Sequence, residues 1–244
     1  MAAANPIQIV PLYGDALAAP VTAPHLTYRG GPLLQAAQVF VFFWGTAWEG
    51  SQSALVQQIN QFFDFTLTSP LLDQLAEYSV PGLSIGHGSR TGALILSTDP
   101  PATIADSDVQ TLIQQEIKTD SAVPQPTANT LYFVFLPPGV TVTLDGGASC
   151  STFCGYHSDV NGNIFYAVMP FLDCAGCARA RSVVDALTVA ASHELCEAIT
   201  DPVPGSGWYD DANGEIGDIC AWKTKTVGSY AVQLEWSNKA GQCI

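Results

Sequence analysis

The sequence is poor in basic residues and in charge altogether. Lys and Arg together number 8 against 22 Asp and Glu, which gives the 244-residue chain a formal net charge of −14. Charged residues make up 12% of the chain, about half of the usual share. Because a surface of this sign repels nucleic acid and anionic membranes, we expect neither of them as a partner.

The sequence also lacks a long apolar run. Its strongest run, at residues 39–44, has the length of a strand, whereas a membrane-spanning helix needs about 20 apolar residues. Residues 1–6 contain neither a basic region nor an apolar stretch, so we expect no signal peptide within the sequence. The chain would then either stay inside the cell or start near a mature N-terminus.

Hydrophobic residues make up 48% of the chain, enough for a sizeable core. Apolar runs and alternation predict strands at 39–44, 91–97, 130–136, 140–144, 163–170 and 230–236. Periodic apolar residues predict helices at 51–67, 71–78, 106–118 and 182–200, with loops at 145–162 and 202–228. This order predicts an α/β (α+β) fold with a mixed, mostly parallel sheet, an active-site helix and a loop-rich, disulfide-bearing C-terminal part. We expect an extended lead-in at residues 1–37 and a single zincin-like domain at residues 38–244.

The helix predicted at 182–200 carries the most informative motif, His193-Glu194-Leu195-Cys196-Glu197. His193 and Glu197 lie one turn apart on the same helix face, with Glu194 beside them. The pattern is the His-Glu-x-x-His zinc helix of metalloproteases with glutamate in place of the second histidine. Since a carboxylate is an accepted zinc ligand, the motif predicts that His193 and Glu197 bind zinc and that Glu194 is the general base.

A catalytic zinc takes three protein ligands, so one more is needed. Asp201 lies eight residues after His193, about 12 Å of helix rise, which is too far for a shared ion unless the helix breaks. We expect Asp201 to end the helix or to support a ligand. Asp218 is the preferred third ligand, because the 25 residues after His193 leave room for a loop to return. His157 is a rival, either as a ligand or as a group that stabilises an oxyanion.

These roles predict a zinc-dependent endopeptidase with a peptide or protein substrate, in which Glu194 activates the zinc-bound water. The strand at 163–170, just before the helix, is expected to form a sheet edge to which a peptide substrate adds. The alternative is an ordinary helix with a hydrogen-bonded His193–Glu197 pair. Two glutamates on a buried helix repel each other without a cation, which favours the metal site.

Seven cysteines lie at positions 150, 154, 174, 177, 196, 220 and 243. Their spacing predicts a free, buried Cys196 and the disulfides Cys150–Cys154, Cys174–Cys177 and Cys220–Cys243. The competing prediction is a structural zinc site formed by the first four cysteines.

The oxygen-rich loop at 210–215 is a second candidate ion site, for Ca²⁺. It lacks the full spacing of an EF-hand, so a solvated turn is the competing interpretation. The sequence therefore predicts Zn²⁺ as the cofactor and leaves Ca²⁺ as a further possibility.

Several stretches of the sequence resemble the plant Exordium / phosphate-induced protein family. They are Leu26–Leu34, Phe43–Gly45, Phe153–His157, Cys174–Cys177, His193–Pro202, Glu215–Cys220 and Val232–Ser237. The order of these motifs, from about residue 26 to the end, is more specific than any one of them. The resemblance implies a secreted, disulfide-bearing protein with a zincin-like core, and it carries over as matched positions His193, Glu194, Glu197 and Asp218.

Two positions depart from that family. Asp201 stands where the plant proteins typically have Asn, and Cys196 stands where they have Ala. The family is associated with growth signalling at the cell wall. The resemblance therefore implies an alternative function, a non-catalytic extracellular protein whose metal is structural or whose cleft binds peptide or glycan.

Overall fold

The computed structural model describes residues 9–13 and 23–244. Its helices are α1 (Ser53–Thr66), α2 (Pro70–Leu75), α3 (Asp106–Thr119), α4 (Ala175–Ala178) and α5 (Val183–Thr200). Its strands are β1 (Ile9–Pro11), β2 (Thr27–Tyr28), β3 (Gln38–Trp44), β4 (Ser89–Leu96), β5 (Thr103–Ala105), β6 (Thr130–Phe135), β7 (Thr141–Leu144), β8 (Gly147–Ala148), β9 (Phe153–Val160), β10 (Ile164–Met169), β11 (Trp208–Tyr209), β12 (Thr224–Val227), β13 (Tyr230–Gln233), β14 (Trp236–Ser237) and β15 (Gln242–Cys243). Within the described ranges, no helix combines the length and apolar character needed to span a bilayer.

A six-stranded sheet in the order β1-β9-β10-β6-β3-β4 forms the centre of the fold. Strands β10, β6, β3 and β4 pair in parallel, whereas β9 pairs antiparallel with β10 and with β1. The predicted α/β class with a sheet of mixed strand directions is confirmed. Parallel pairing requires a long crossover connection: α1 and α2 lie between β3 and β4, whereas β6 reaches β10 through strands β7, β8 and β9.

Helices cover the central sheet on both faces. In β3, Val39, Val41 and Phe43 pack into the cluster that contains residues of α1, α2 and α5, whereas Phe40 and Phe42 pack into the cluster that contains residues of α3. Because both faces of β3 are buried, its sequence is a continuous apolar run rather than an alternating one.

Helix α5 is buried over most of its length. The Ser182 hydroxyl caps its N-terminus by accepting a hydrogen bond from the backbone N–H of Asp185. All residues at positions 186–200 are buried. The helix ends at Asp201, whose backbone leaves helical geometry with φ −151° and ψ 61°. Helix α5 therefore carries the predicted metal motif into the interior of the protein.

Residues 145–162, predicted as a loop, contain strand β9. Its sequence holds Gly, Cys, Ser and Asp, so it forms neither an apolar run nor a clear alternation. β9 pairs with β10 on one side and with β1 on the other. The prediction that the strand at 163–170 forms a free sheet edge is wrong, because β10 is hydrogen-bonded to β9 and to β6. The loop predicted at 202–228 likewise contains β11 and β12, and β12 pairs with β13.

The predicted lead-in at residues 1–37 lies partly outside the described residues. Where it is described, it forms β1 at the edge of the central sheet and β2, which pairs with β11. Leu26, Leu33 and Leu34 are buried in the same core cluster as α5. These residues therefore belong to the packed domain.

Three disulfides connect the C-terminal part of the chain: Cys150–Cys174, Cys154–Cys177 and Cys220–Cys243. Of the predicted pairs, Cys220–Cys243 is confirmed and the other two are wrong. The cysteines of the β9 region bond to the cysteines around α4, rather than to their near neighbours in sequence. The competing four-cysteine zinc site is excluded by the same bonds, and Cys196 is free and buried as predicted. Such disulfides indicate an oxidising environment.

Candidate metal centre

Two histidines and five carboxylates meet around α5, β9 and the loop that follows α5. All are fully buried except Asp218, whose side chain is 16% exposed. Among the described residues, none of these carboxylates forms an ion pair with Lys or Arg. Buried negative charges without such partners are costly unless a cation or protons neutralise them. The members of the cluster are His157, His193, Glu194, Glu197, Asp201, Glu215 and Asp218.

The three predicted ligands converge on a common point. His193 Nε2 lies 2.9 Å from Glu197 Oε1 and 3.9 Å from Asp218 Oδ1. Nε2 nevertheless makes no hydrogen bond, so the ring is aimed at neither oxygen. Two ligands held about 2.1 Å from one tetrahedral zinc ion are about 3.4 Å apart, and the observed distances bracket that value. The three side chains therefore fit a shared cation.

The loop after α5 is held against the helix by hydrogen bonds that also orient Asp218. The backbone N–H of Asp218 donates to Glu197 Oε1 at 3.1 Å. Asp218 Oδ2 accepts a hydrogen bond from the backbone N–H of Glu215 at 3.0 Å, which leaves Oδ1 facing His193. The Cys220–Cys243 disulfide lies two residues further on. The predicted return of the chain to the motif helix is present.

Gln233 fixes the second ring nitrogen of His193. The Gln233 Oε1 atom accepts a hydrogen bond from Trp222 N at 2.9 Å, and Nε2 donates to Gly217 O at 2.9 Å. The same Nε2 lies 2.8 Å from His193 Nδ1. Because the two backbone partners set the orientation of the amide, Nδ1 of His193 is a hydrogen-bond acceptor. The proton of the neutral ring is then on Nε2, so His193 can bind a metal through Nε2 only if the ion displaces that proton. A metal-bound histidine usually donates from its second nitrogen, which makes Gln233 an unusual partner for such a ligand.

Glu194, the predicted general base, reaches from α5 towards β9. Its Oε2 lies 3.0 Å from His157 Nδ1, and its Oε1 has no hydrogen-bond partner. Gly155 of β9 lies beside it: a β-carbon there would make ordinary contact with Glu194 Oε1 at 3.5 Å but would lie only 2.7 Å from Met169 Cε. His157, the predicted rival ligand, therefore contacts the general base directly.

Burial and neighbouring charges shift the pKa values of the cluster. Burial raises the pKa of Glu194 above its ordinary value and that of Asp218 to about 8. Burial alone would lower the pKa of His157, but the neighbouring carboxylates of Glu194 and Glu197 outweigh burial and raise that pKa to about 10. Burial would also raise the pKa of Glu197, but the charge of His193 lowers it to about 2. Positive charge, as protons or as a cation, is therefore favoured at this centre.

Asp201 binds backbone groups at the end of the helix. Its Oδ2 accepts a hydrogen bond from Gly205 N at 2.6 Å. Its Oδ1 accepts hydrogen bonds from Ser206 N at 3.0 Å and from Gly207 N at 2.5 Å. The expected role of Asp201 at the helix end is present, and its oxygens already have partners.

The candidate calcium loop has the geometry of a turn. Asp210 accepts hydrogen bonds from the backbone N–H groups of His25, Ala212 and Asn213. Asp211 pairs with Arg29 at 2.5 Å. N–H donors therefore occupy oxygens that a calcium ion would need, which favours the turn.

Three buried polar residues near the centre had no place in the sequence-based site: Glu215, Gln233 and Glu235. All are fully buried, and neither Glu215 nor Glu235 has a hydrogen-bond partner for its carboxylate oxygens. Gln233 lies in β13, and a polar residue at an inward position of a strand was the available signal. For Glu215 the only available signal in the sequence was its position three residues before the predicted ligand Asp218.

Comparison with protein-family models gives no match for this chain, and no curated protein matches it significantly. The resemblance to the Exordium / phosphate-induced protein family stays a prediction that depends on the order of the motifs. The function is therefore argued from the geometry of the centre.

Proposed function

We propose that this protein is a metal-dependent hydrolase, a zinc endopeptidase with a zincin-like domain. The proposal depends on the convergence of His193 Nε2, Glu197 Oε1 and Asp218 Oδ1 without hydrogen bonds from the ring to either carboxylate. One nitrogen and two oxygens are ligand types that zinc accepts. Two of them come from one helix turn and the third from a loop that returns to the helix.

A zinc ion at this position would polarise a substrate carbonyl and lower the pKa of a water molecule. Glu194 is suited to take a proton from that water, because its Oε1 has no hydrogen-bond partner and burial raises its pKa. His157, at 3.0 Å from Glu194 Oε2, orients the carboxylate. Glu194 would then be placed to give the proton to the leaving amine.

The test combines metal analysis with cleavage of an unfolded protein substrate. We expect the purified protein to hold zinc, and Glu194→Gln to keep it while cleavage falls by at least about 100-fold. Glu235→Gln is the matched control, since Glu235 is also buried and unpaired but outside the predicted ligand set. Bound zinc without cleavage of any unfolded substrate would overturn the proposal.

A second candidate function is a secreted, non-catalytic protein in which the metal is structural. The complete burial of Glu194 and Glu197 favours it, because a catalytic zinc must keep a coordination position open to water and substrate, whereas a structural zinc does not. It is also the function that the resemblance to the Exordium family implies, with peptide or glycan binding at the cell surface. In this case removal of the metal lowers the melting temperature, and neither the natural protein nor Glu194→Gln cleaves peptide.

A further inference from the structure

Glu197 faces two different groups of side chains with its two carboxylate oxygens. Oε1 lies 2.9 Å from His193 Nε2 and accepts a hydrogen bond from Asp218 N. Oε2 lies 3.5 Å from His157 Nδ1 and makes no hydrogen bond. One carboxylate therefore lies between two histidines, each of which approaches a different oxygen.

His157 has the ring orientation expected of a metal ligand. Its Nε2 donates to the backbone carbonyl of Asp201 at 3.2 Å, so Nδ1 faces the carboxylates, and its lone pair would be aimed at an ion that displaced the Nδ1 proton. Nδ1 lies 3.0 Å from Glu194 Oε2 and 3.5 Å from Glu197 Oε2. Metal-binding histidines typically donate their other ring N–H to a carbonyl or carboxylate. His193 instead faces the Gln233 amide donor, so His157 is the better oriented of the two rings.

Glu215 completes a second group of three. Its side chain is fully buried and neither oxygen accepts a hydrogen bond. Oε1 lies 3.6 Å from His157 Nε2, the nitrogen that donates to Asp201, so Glu215 stands beside the ring rather than in front of Nδ1. One possible ligand atom from each of His157, Glu197 and Glu215 lies within 4.8 Å of the other two. A buried carboxylate at this position is costly unless a cation lies beside it or a proton shared with the neighbouring Asp201 neutralises it.

We propose that His157, Glu197 and Glu215 form a second divalent-metal site, joined to the first through Glu197 as a bridging ligand. One imidazole and two carboxylates suit Zn²⁺ or Mn²⁺. The two groups contain three carboxylates, and the general base Glu194 is a fourth. When all four are ionised, two divalent ions neutralise their four negative charges. The inference rests on the proposed function only for the identity of the first site.

Metal counting on the full chain tests this second site. The protein is stripped with a chelator, loaded with Zn²⁺, separated from free ions and measured by elemental analysis and by calorimetric titration. We expect about two zinc ions per natural chain, about one in Glu215→Gln and about one in Asp218→Asn. Glu235→Gln is the matched control and should keep both ions.

The outcomes separate the second site from the proposed function. A single zinc ion that is kept in Glu215→Gln and lost in Asp218→Asn overturns the second site and leaves the proposed function standing. A single ion that is lost in Glu215→Gln and kept in Asp218→Asn supports the site at His157 and overturns the ligand set of the proposed function.

A measurement on the natural chain covers the case in which a variant fails to fold. The metal-free protein is loaded with Mn²⁺ and examined by electron paramagnetic resonance. Two ions that share the Glu197 carboxylate should give the spectrum of an exchange-coupled pair. A spectrum of isolated Mn²⁺ alone, at saturating metal, overturns the bridged pair.

Discussion

Gly217 lies so close to His193 that a β-carbon at position 217 would stand 2.8 Å from Nδ1 of the ring. The same β-carbon would lie 2.9 Å from Glu197 Oε1. The φ of Gly217 is −81°, which any residue adopts, so glycine is needed here for space alone. The loop that carries Asp218 can therefore contact the motif helix only because position 217 has no side chain.

Gly217→Ala should displace this loop and weaken metal binding. We expect zinc affinity to fall by about 10- to 100-fold, the range seen when groups that position ligands are lost. Competition with a coloured chelator measures the change. Gly50→Ala is the control, because a β-carbon there meets nothing closer than 3.8 Å. Equal affinities of the two variants would contradict the assigned loop contact.

Gln233→Glu should strengthen metal binding at His193. A carboxylate oxygen at this position can accept a hydrogen bond from His193 Nδ1–H while the other oxygen still accepts from Trp222 N, at the cost of the hydrogen bond that Gln233 donates to Gly217 O. We expect zinc affinity to rise by about 10-fold, since the ring then has the usual tautomer of a metal ligand. The same chelator competition measures it. Weaker binding than in the natural protein would show that His193 does not hold the ion through Nε2.

Without metal, stability should fall as the pH rises above about 5. Burial raises the pKa of Glu215 and Glu235 above the ordinary value and that of Asp218 to about 8. Between the unfolded and folded pKa values the folded state holds more protons, so the free energy of unfolding decreases with pH in that window. Glu197 has the opposite effect only at more acidic pH, because its folded pKa is about 2.

We therefore expect the melting temperature of the chelator-treated protein to fall by about 10 °C between about pH 5 and pH 8. Circular dichroism at a series of pH values measures it. Added zinc should remove most of this loss, because metal competes with protons for the same side chains. A melting temperature that rises over this range in the absence of metal would contradict the assigned pKa directions.

Asp201→Ala should destabilise the fold and leave the metal content unchanged. Three backbone N–H groups lose their acceptor, and we expect the free energy of unfolding to fall by about 3 kcal/mol. Urea denaturation and elemental analysis measure the two effects on the same sample. If the variant loses its zinc while its stability is preserved, Asp201 is a ligand after all.

The sequence was sufficient for the elements whose signal is local. Both β3 and β6 are buried on two faces and therefore appear as apolar runs, and α5 combines a Ser182 cap with a long apolar pattern. The strand β9 could not be recognised in this way. Its pairing depends on β10, β1 and two disulfides, and these partners impose no apolar periodicity on the sequence Phe153–Val160.

The part of the candidate site that lies on α5 could be predicted from the sequence. The residues that other segments of the chain bring to it were harder to predict. The spacing of His193 and Glu197 follows from helix geometry, whereas the place of His157 depends on which strand lies beside α5. Glu215 and Asp218 lie on one short loop, and only the folded loop shows that they face different histidines. Contacts between residues that are far apart in the chain produce no pattern that can be recognised in a single sequence.

For the proposed metal sites, the disulfides would determine when the protein can acquire an ion. The strand that carries His157 and the loop that carries Asp218 are each anchored by cystines, while α5 holds none. In a reducing compartment the ligands on α5 would be present, but the strand that carries His157 and the loop that carries Asp218 would not be anchored against them. Loading of the proposed metal sites would then be a late step of maturation that follows oxidation, and the metal supply that matters would be the one in the oxidising compartment.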